Sequence, residues 1–232
     1  VVIDEMQDYT PVQYRVVDAL FHCKKTILGD HNQSVSPLSA SAPEDIRDAL
    51  RNAECMYMHK SYRSTIQITE VAQTIQRNPD LQPIERHGNT PELARCPDDT
   101  SHERAVRDAI DAFHASDHNT LGIICKTDEQ AAALHESITD TGAQLLDSRS
   151  TTFTGGVMIA TAYLAKGLEF DRVVVPFADN DTYAQTIDKH MLYVACTRAM
   201  HELTIICRGE PTTLLNEAVE RDHLRVRDAS PS

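Results

Sequence analysis

The 232-residue sequence contains no run of eighteen or more apolar residues, and no basic, apolar, small-residue leader precedes Val1. Neither a membrane span nor an export signal is expected, and the chain reads as cytoplasmic. Its six cysteines (Cys23, Cys55, Cys96, Cys125, Cys196, Cys207) include no C-x-x-C pair, which argues against a zinc site and a disulfide frame. Cys125 and Cys207 sit inside apolar runs, where a reduced thiol acts as a small hydrophobe. Positive charge is scarce: 22 Lys and Arg face 35 Asp and Glu, a net charge of −13. This argues against a large non-specific nucleic-acid footprint on this segment, so nucleic acid must be met locally or by parts outside it. The eleven histidines are scattered; His114 and His118 have i,i+4 spacing but no third ligand, and are expected as solvated helix-end residues. No internal repeat, low-complexity tract or G-x-x-x-x-G-K-[ST] phosphate loop occurs.

What is present is 41% hydrophobic residues, enough for the core of one domain and part of another. Apolar runs of strand length alternate with segments of helical period, the pattern of an α/β fold with a parallel sheet and crossover helices. Residues 1–3 form the first run. Thr10, Pro11 and Gln13 then supply an N-cap, a first helical position and a capping-box partner, and Val12, Val16 and Leu20 recur along one face. A helix is predicted over 11–22, then a strand at TIL ending in GDHNQS. PLSASAPED reads as loop and EDIRDALRNA as a short helix. Ile68, Val71, Ala72 and Ile75 trace a helix that stops at Asn78-Pro79, and a polar, Pro-rich stretch follows to Asp99. Further helices are marked by Val106, Ala109, Ile110 and Phe113 and by Ala131, Leu134 and Ile138, and further strands by 121–125, 157–160, 172–177 and 203–207. TTLLNEAVE reads as a terminal helix and the last ten residues as disordered.

In open α/β sheets ligands sit beyond the carboxyl ends of strands, so polar clusters after apolar runs are the candidates. Asp4 and Glu5, adjacent at a strand end, would project to opposite sides, which suits an Mg²⁺ ligand and a water-orienting base; the alternative is an acidic turn feeding a helix N-terminus. Gln33 either senses a phosphate or is a turn residue. Tyr62 and Arg63 either stack on a base and clamp a phosphate, or are a half-buried Tyr beside a surface Arg. Gly167 marks a tight bend between charges, with Glu169 a ribose acceptor or half of an exposed ion pair. Arg198, on a helix of small and apolar residues, is a snorkelling flank or a cation aimed at an interface.

In chain order, DEMQD, LGDHNQS, SYRS, TAYLAKGLEFD and LYVACTRA resemble motifs II to VI of superfamily 1 helicases of the UvrD/Rep type. The resemblance spans about residues 1–207 and implies two RecA-like lobes with ATP in the cleft between them. It implies that 1–33 are the tail of the first lobe, 34–60 a connection, 61–209 the second RecA-like lobe with its parallel sheet, and 210–232 a C-terminal helix and tail. By the same resemblance Asp4 would hold Mg²⁺, Glu5 would position the attacking water, Gln7 would support the phosphate site and Gln33 would sense the γ-phosphate. Tyr62 would stack on adenine, Glu169 would bind ribose with Gly167 beside it, and Arg63 and Arg198 would reach the γ-phosphate. Thr161 and Lys166 would couple nucleotide to nucleic acid.

Two departures qualify that picture. Tyr163 stands two places after Thr161, where DNA-repair members have His, in a string closer to the HelD-type branch associated with RNA polymerase. Only residues 65–160 separate SYRS from TAYLAKG, too few for the large subdomain inserted in UvrD/Rep helicases. With no phosphate loop present, the chain is expected to be the C-terminal part of a longer ATPase, inactive alone. The expected cofactors are ATP and Mg²⁺ and the partner single-stranded DNA, acting through the full-length protein. RNA polymerase is the alternative partner, in a polymerase-displacing factor, and a non-catalytic interaction module is a third reading. The intact set Asp4, Glu5, Gln33, Arg63, Glu169 and Arg198 speaks against that third reading. An exposed sheet edge in residues 1–33 would invite pairing with another molecule.

Overall fold

A computed structural model describes residues 1–33, 42–50, 53–147 and 155–229. Most of the loop expected at PLSASAPED and the last three residues of the expected tail lie outside the described residues. The chain divides into two compact units, Val1–His59 and Lys60–Ser232.

In the first unit β1 (Val2–Ile3) pairs in parallel with β2 (Thr26–Ile27), α1 spans Pro11–Leu20 and α2 spans Pro43–Ala49. The start of α1 is built as the sequence predicts. Gln13 N donates to Thr10 Oγ1 (3.3 Å) and Thr10 N to Gln13 Oε1 (2.7 Å), with Pro11 opening the first turn. Its apolar stripe is another matter: Val12, Val16 and Leu20 are 67%, 51% and 67% exposed, and the buried side carries Tyr14. Tyr14, Ile3, Ile46 and Leu50 form a small core, so α2 belongs to this unit, although residues 34–60 were expected as a connection.

The second unit contains β3 (Lys60–Ser61) paired with β4 (Gln82–Pro83), and α3 (Ile66–Ile75) between them. There follow β5 (Glu92–Cys96), α4 (Asp99–His114), β6 (Thr120–Cys125), α5 (Asp128–Ser137), β7 (Gln144–Leu145), β8 (Gly156–Thr161) and β9 (Phe170–Val175). α6 (Thr186–Cys196), β10 (Ala199–Arg208), α7 (Asn216–Glu220) and β11 (Arg225–Asp228) complete it. Seven strands form one sheet, all pairs parallel, in the order β11-β5-β10-β9-β6-β8-β7. Successive strand side chains alternate between its faces. Leu121, Ile123, Val157, Ile159, Val174 and Ile206 share a core with Val106, Ile110 and Phe113 of α4 and Leu134 of α5. Ile124, Met158, Val173, Val175, Leu203 and Ile205 are buried on the other face, where α3 and α6 pack. Each such side chain contributes about 1.5–3 kcal/mol by leaving water. Cys125 and Cys207 are buried and free, as small hydrophobes should be, and burial pushes both thiols up to about 12.

Three sequence expectations are corrected. β5 lies within the stretch read only as polar and Pro-rich, because a five-residue strand between Pro91 and Pro97 is too short to show a period. β11 lies within the tail read as disordered; all four of its side chains are exposed, and it is held by backbone pairing to β5 and by the Arg95–Asp228 ion pair (2.8 Å). α6 ends at Cys196, so Arg198 is not on a helix but immediately before β10.

Candidate functional site

The candidate residues fall in both units, and each group is a constellation of its own. In the first unit β1 ends at Ile3, so Asp4 and Glu5 follow the strand instead of alternating within it. Glu5 takes a left-handed backbone (φ 54, ψ 53), a conformation that costs a residue with a Cβ about 1–3 kcal/mol and so marks an over-determined position. Its amide donates to Asp4 Oδ1 (2.9 Å). Gln7 is fully buried: its Nε2 donates to Glu5 Oε2 (2.6 Å) and its Oε1 accepts from Asp30 N (3.1 Å). Gln33 Nε2 in turn donates to Asp30 Oδ2 (3.0 Å). A continuous hydrogen-bonded chain, Glu5 to Gln7 to Asp30 to Gln33, therefore joins the segments after the two strands. Gly29 permits it, since a Cβ there would stand 2.5 Å from both Gln7 Oε1 and Met6 N. Asp30 was not among the sequence candidates; an acid after a glycine at a strand end was the available signal.

In the second unit Arg63, Glu169 and Arg198 converge on the amino ends of β9 and β10. Glu169 precedes Phe170 and Arg198 precedes Ala199, and Phe170 and Ala199 are register partners. In this unit the rule that looks beyond carboxyl ends fits Thr161, the last residue of β8, and Lys166 and Gly167 in the turn after it. Arg63 Nε donates to Glu169 Oε1 at 2.5 Å, so two residues expected to act separately on phosphate and ribose are ion-paired. Ser64 Oγ, buried, donates to Ala199 O (2.6 Å) and fixes the Arg63 loop to the strand that follows Arg198.

Arg198 is fully buried. Its Nε donates to Val194 O (3.1 Å), Nη1 to Leu168 O (3.4 Å) and Nη2 to Thr197 Oγ1 (3.4 Å). The residue read from the sequence as a snorkelling flank or a cation aimed at an interface ties the KGLE segment to the end of α6. Gly167 has φ 80, the tight bend that residue type predicts. Thr161 is buried; its Oγ1 accepts from Leu164 N (3.3 Å) and shapes the turn that carries Lys166. The Tyr62 side chain is exposed.

A charged cluster adjoins this patch. Asp171 Oδ2 accepts from Asn119 N, Thr120 N and Thr120 Oγ1 at 2.9–3.0 Å. Burial works to raise its carboxyl, but those hydrogen bonds outweigh it and hold the group below the usual carboxylate range. His118, expected as a solvated helix-end residue, instead stacks on His201 (5.2 Å) and accepts from Arg172 Nε (2.9 Å).

Residues 156–206 match the model of the UvrD-like helicase C-terminal domain. A solved structure, described as the C-terminal domain of a possible DNA helicase from Lactobacillus plantarum WCFS1, aligns with a TM-score of 0.61 and 30% identity. That alignment covers 72% of this chain and 98% of the other. The chain belongs to the UvrD-like helicase C-terminal domain family. It is also 33% identical over 79 residues to proteins named ATP-dependent DNA helicase UvrD2 of Mycobacterium bovis and Mycobacterium tuberculosis, over 32% of this chain and 11% of theirs. The chain thus spans about a tenth of the length of those curated relatives. Within this UvrD-like domain the matched span runs from β8 into β10 and includes Thr161, Lys166, Gly167, Glu169 and Arg198. The Arg63 loop lies outside the family-model match and is brought to it by the fold. No helix among the described residues is long and apolar enough to cross a membrane.

Proposed function

We propose that this chain is the C-terminal part of an ATP-driven DNA helicase or translocase. The observation that carries the reading is the meeting of Arg63, Glu169 and Arg198, far apart in sequence, at the amino ends of β9 and β10. On this reading Tyr62 offers its exposed ring to adenine, Glu169 and Gly167 lie at the ribose, and Arg63 and Arg198 act on the γ-phosphate. Asp4 holds Mg²⁺, Glu5 orients the attacking water, Gln33 senses the γ-phosphate, and Gln7 holds Glu5 in place. A single exposed carboxylate such as Asp4 suits Mg²⁺, which keeps most of its waters and takes one or two protein carboxylates. When bound, Mg²⁺-ATP would supply the phosphoanhydride and the charge that these residues orient and stabilise. Thr161 shapes the turn through which Lys166 couples nucleotide to nucleic acid. The sequence holds no G-x-x-x-x-G-K-[ST] loop, so the phosphate cradle comes, on this reading, from residues outside these 232, and the chain alone does not turn over ATP.

The test is ATP turnover by the complete protein. Arg63→Ala should lower it about 10³-fold, the scale of an arginine-finger loss. A near-normal rate would remove Arg63 from the site and leave the reading without its main support. The polymerase-displacing alternative, suggested by the string around Tyr163, predicts that the complete protein retains RNA polymerase in a pull-down in preference to single-stranded DNA.

A further inference from the structure

Besides Glu169 and Ser64, a segment outside the helicase-like motifs holds the Arg63 loop. Between β4 and β5 the chain passes over the Arg63 loop, and Ile66 N donates to Arg86 O (2.9 Å). Arg86 Nη1 donates to Arg63 O (3.0 Å), while its Nη2 lies 2.8 and 2.9 Å from the two ring nitrogens of His201 on β10. Gly88 closes the strap: its amide donates to Gln67 Oε1 (2.9 Å), and a Cβ would stand 2.7 Å from Thr65 Cγ2 and 3.3 Å from His201 O. Among the described residues Arg86 meets a carbonyl oxygen and an imidazole and pairs with no carboxylate.

We propose that Arg86 is the positioning residue of Arg63, and that His201, in its neutral form, is the ring against which the Arg86 guanidinium is held in place. The inference rests on the reading of Arg63 as a phosphate contact. With Nη2 nearly equidistant from both ring nitrogens, the guanidinium packs against the imidazole ring as a whole; a neutral ring accepts that cation, and a protonated one sets two cations against each other. The groups facing His201 are Arg86 from the strap, the stacked ring of His118 ahead of β6, Asp171 on β9 at 3.7 Å, and Glu202 on its own strand. Arg172 of β9 is engaged with His118 and Glu202. Burial, then Arg86 and His118, lower the His201 imidazole below its ordinary value, against the opposing pull of Asp171 and Glu202. The neutral form therefore prevails at neutral pH, and support for Arg63 is lost as the pH falls below the ordinary histidine value of about 6.5.

Two measurements test this. In the complete protein, Arg86→Ala should lower ATP turnover between about ten- and a hundredfold, the scale of a catalytic group misplaced by about an ångström. The Arg63→Ala, Arg86→Ala double variant should be no slower than Arg63→Ala alone, because a positioning residue acts only through the group it positions. Additive losses, or an unchanged rate in Arg86→Ala, overturn the proposal. An unchanged rate in Arg63→Ala removes the phosphate reading and the proposal with it, a result distinct from either of those. If Arg86→Ala destabilises the unit, Arg86→Gln, which still donates to Arg63 O but carries no charge, should recover most of the rate. Failure of that rescue in a folded variant also overturns it. In the 232-residue chain, an NMR titration should place His201 below ordinary histidines and move it upward in Arg86→Gln, since a neighbouring cation has gone. A titration unmoved by that change overturns the pairing.

Discussion

At Gly29 the absence of a side chain decides whether a hydrogen-bond chain forms. A Cβ there would press within 2.5 Å of Gln7 Oε1 and a backbone nitrogen, and neither yields easily, because Gln7 is fully buried and bonded at both ends. Gly29→Ala should cost about 1–3 kcal/mol in urea unfolding, and it should release Glu5 from Gln7, visible as loss of the Gln7 side-chain amide shift. Arg198 is the opposite case, a fully buried charge. Arg198→Ala removes a fully buried side chain with its bonds to Leu168 O, Val194 O and Thr197 Oγ1 and should lower stability by about 3 kcal/mol or more, read from the same denaturant curves. These residue types were legible in the sequence and their partners were not. Nothing local in KGLEFD shows that Glu169 meets an arginine on the loop after β3, or that Leu168 offers its carbonyl to Arg198.

Among the elements, helix starts were the easiest to read, because a cap and its partner lie within one turn. Thr10 with Gln13 is such a pair. Strands needed apolar content to be seen, which is why β11, with exposed side chains throughout, was missed. The β6–β9 junction depends on charge. Asp171, held below the usual carboxylate range, ties the start of β9 to the residues entering β6, and its stabilisation is present above the unfolded pKa and lost as the pH falls through the folded one. Asp171→Asn should flatten the loss of stability below about pH 4, measured as the denaturation midpoint across a pH series. At the start of α6, Asp188 is buried, receives the amides of Ala184 and Gln185 at 2.9 and 2.7 Å, and pairs with Lys126 at 2.6 Å. Asp188→Ala leaves that lysine without its carboxylate and should cost about 3–5 kcal/mol, again by urea titration.

For the whole molecule, two units with separate cores should not unfold as one two-state system. Calorimetry should show two transitions: Gly29→Ala lowering only the first unit's, and Gly122→Ala, whose Cβ would stand 2.6 Å from the Phe170 ring, lowering only the second's. A single transition shifted by both variants would show the units to be coupled. The sequence by itself determined the α/β alternation, the helix caps, the thiols as small hydrophobes and the motif residues, since each depends on neighbours within a few positions. Tertiary structure alone decided which motif residues meet. Parallel strands bring together segments distant in the chain, so the Arg63–Glu169 pair, the burial of Arg198 and the strap of Arg86 on His201 all depend on sheet order and register, which no local pattern encodes.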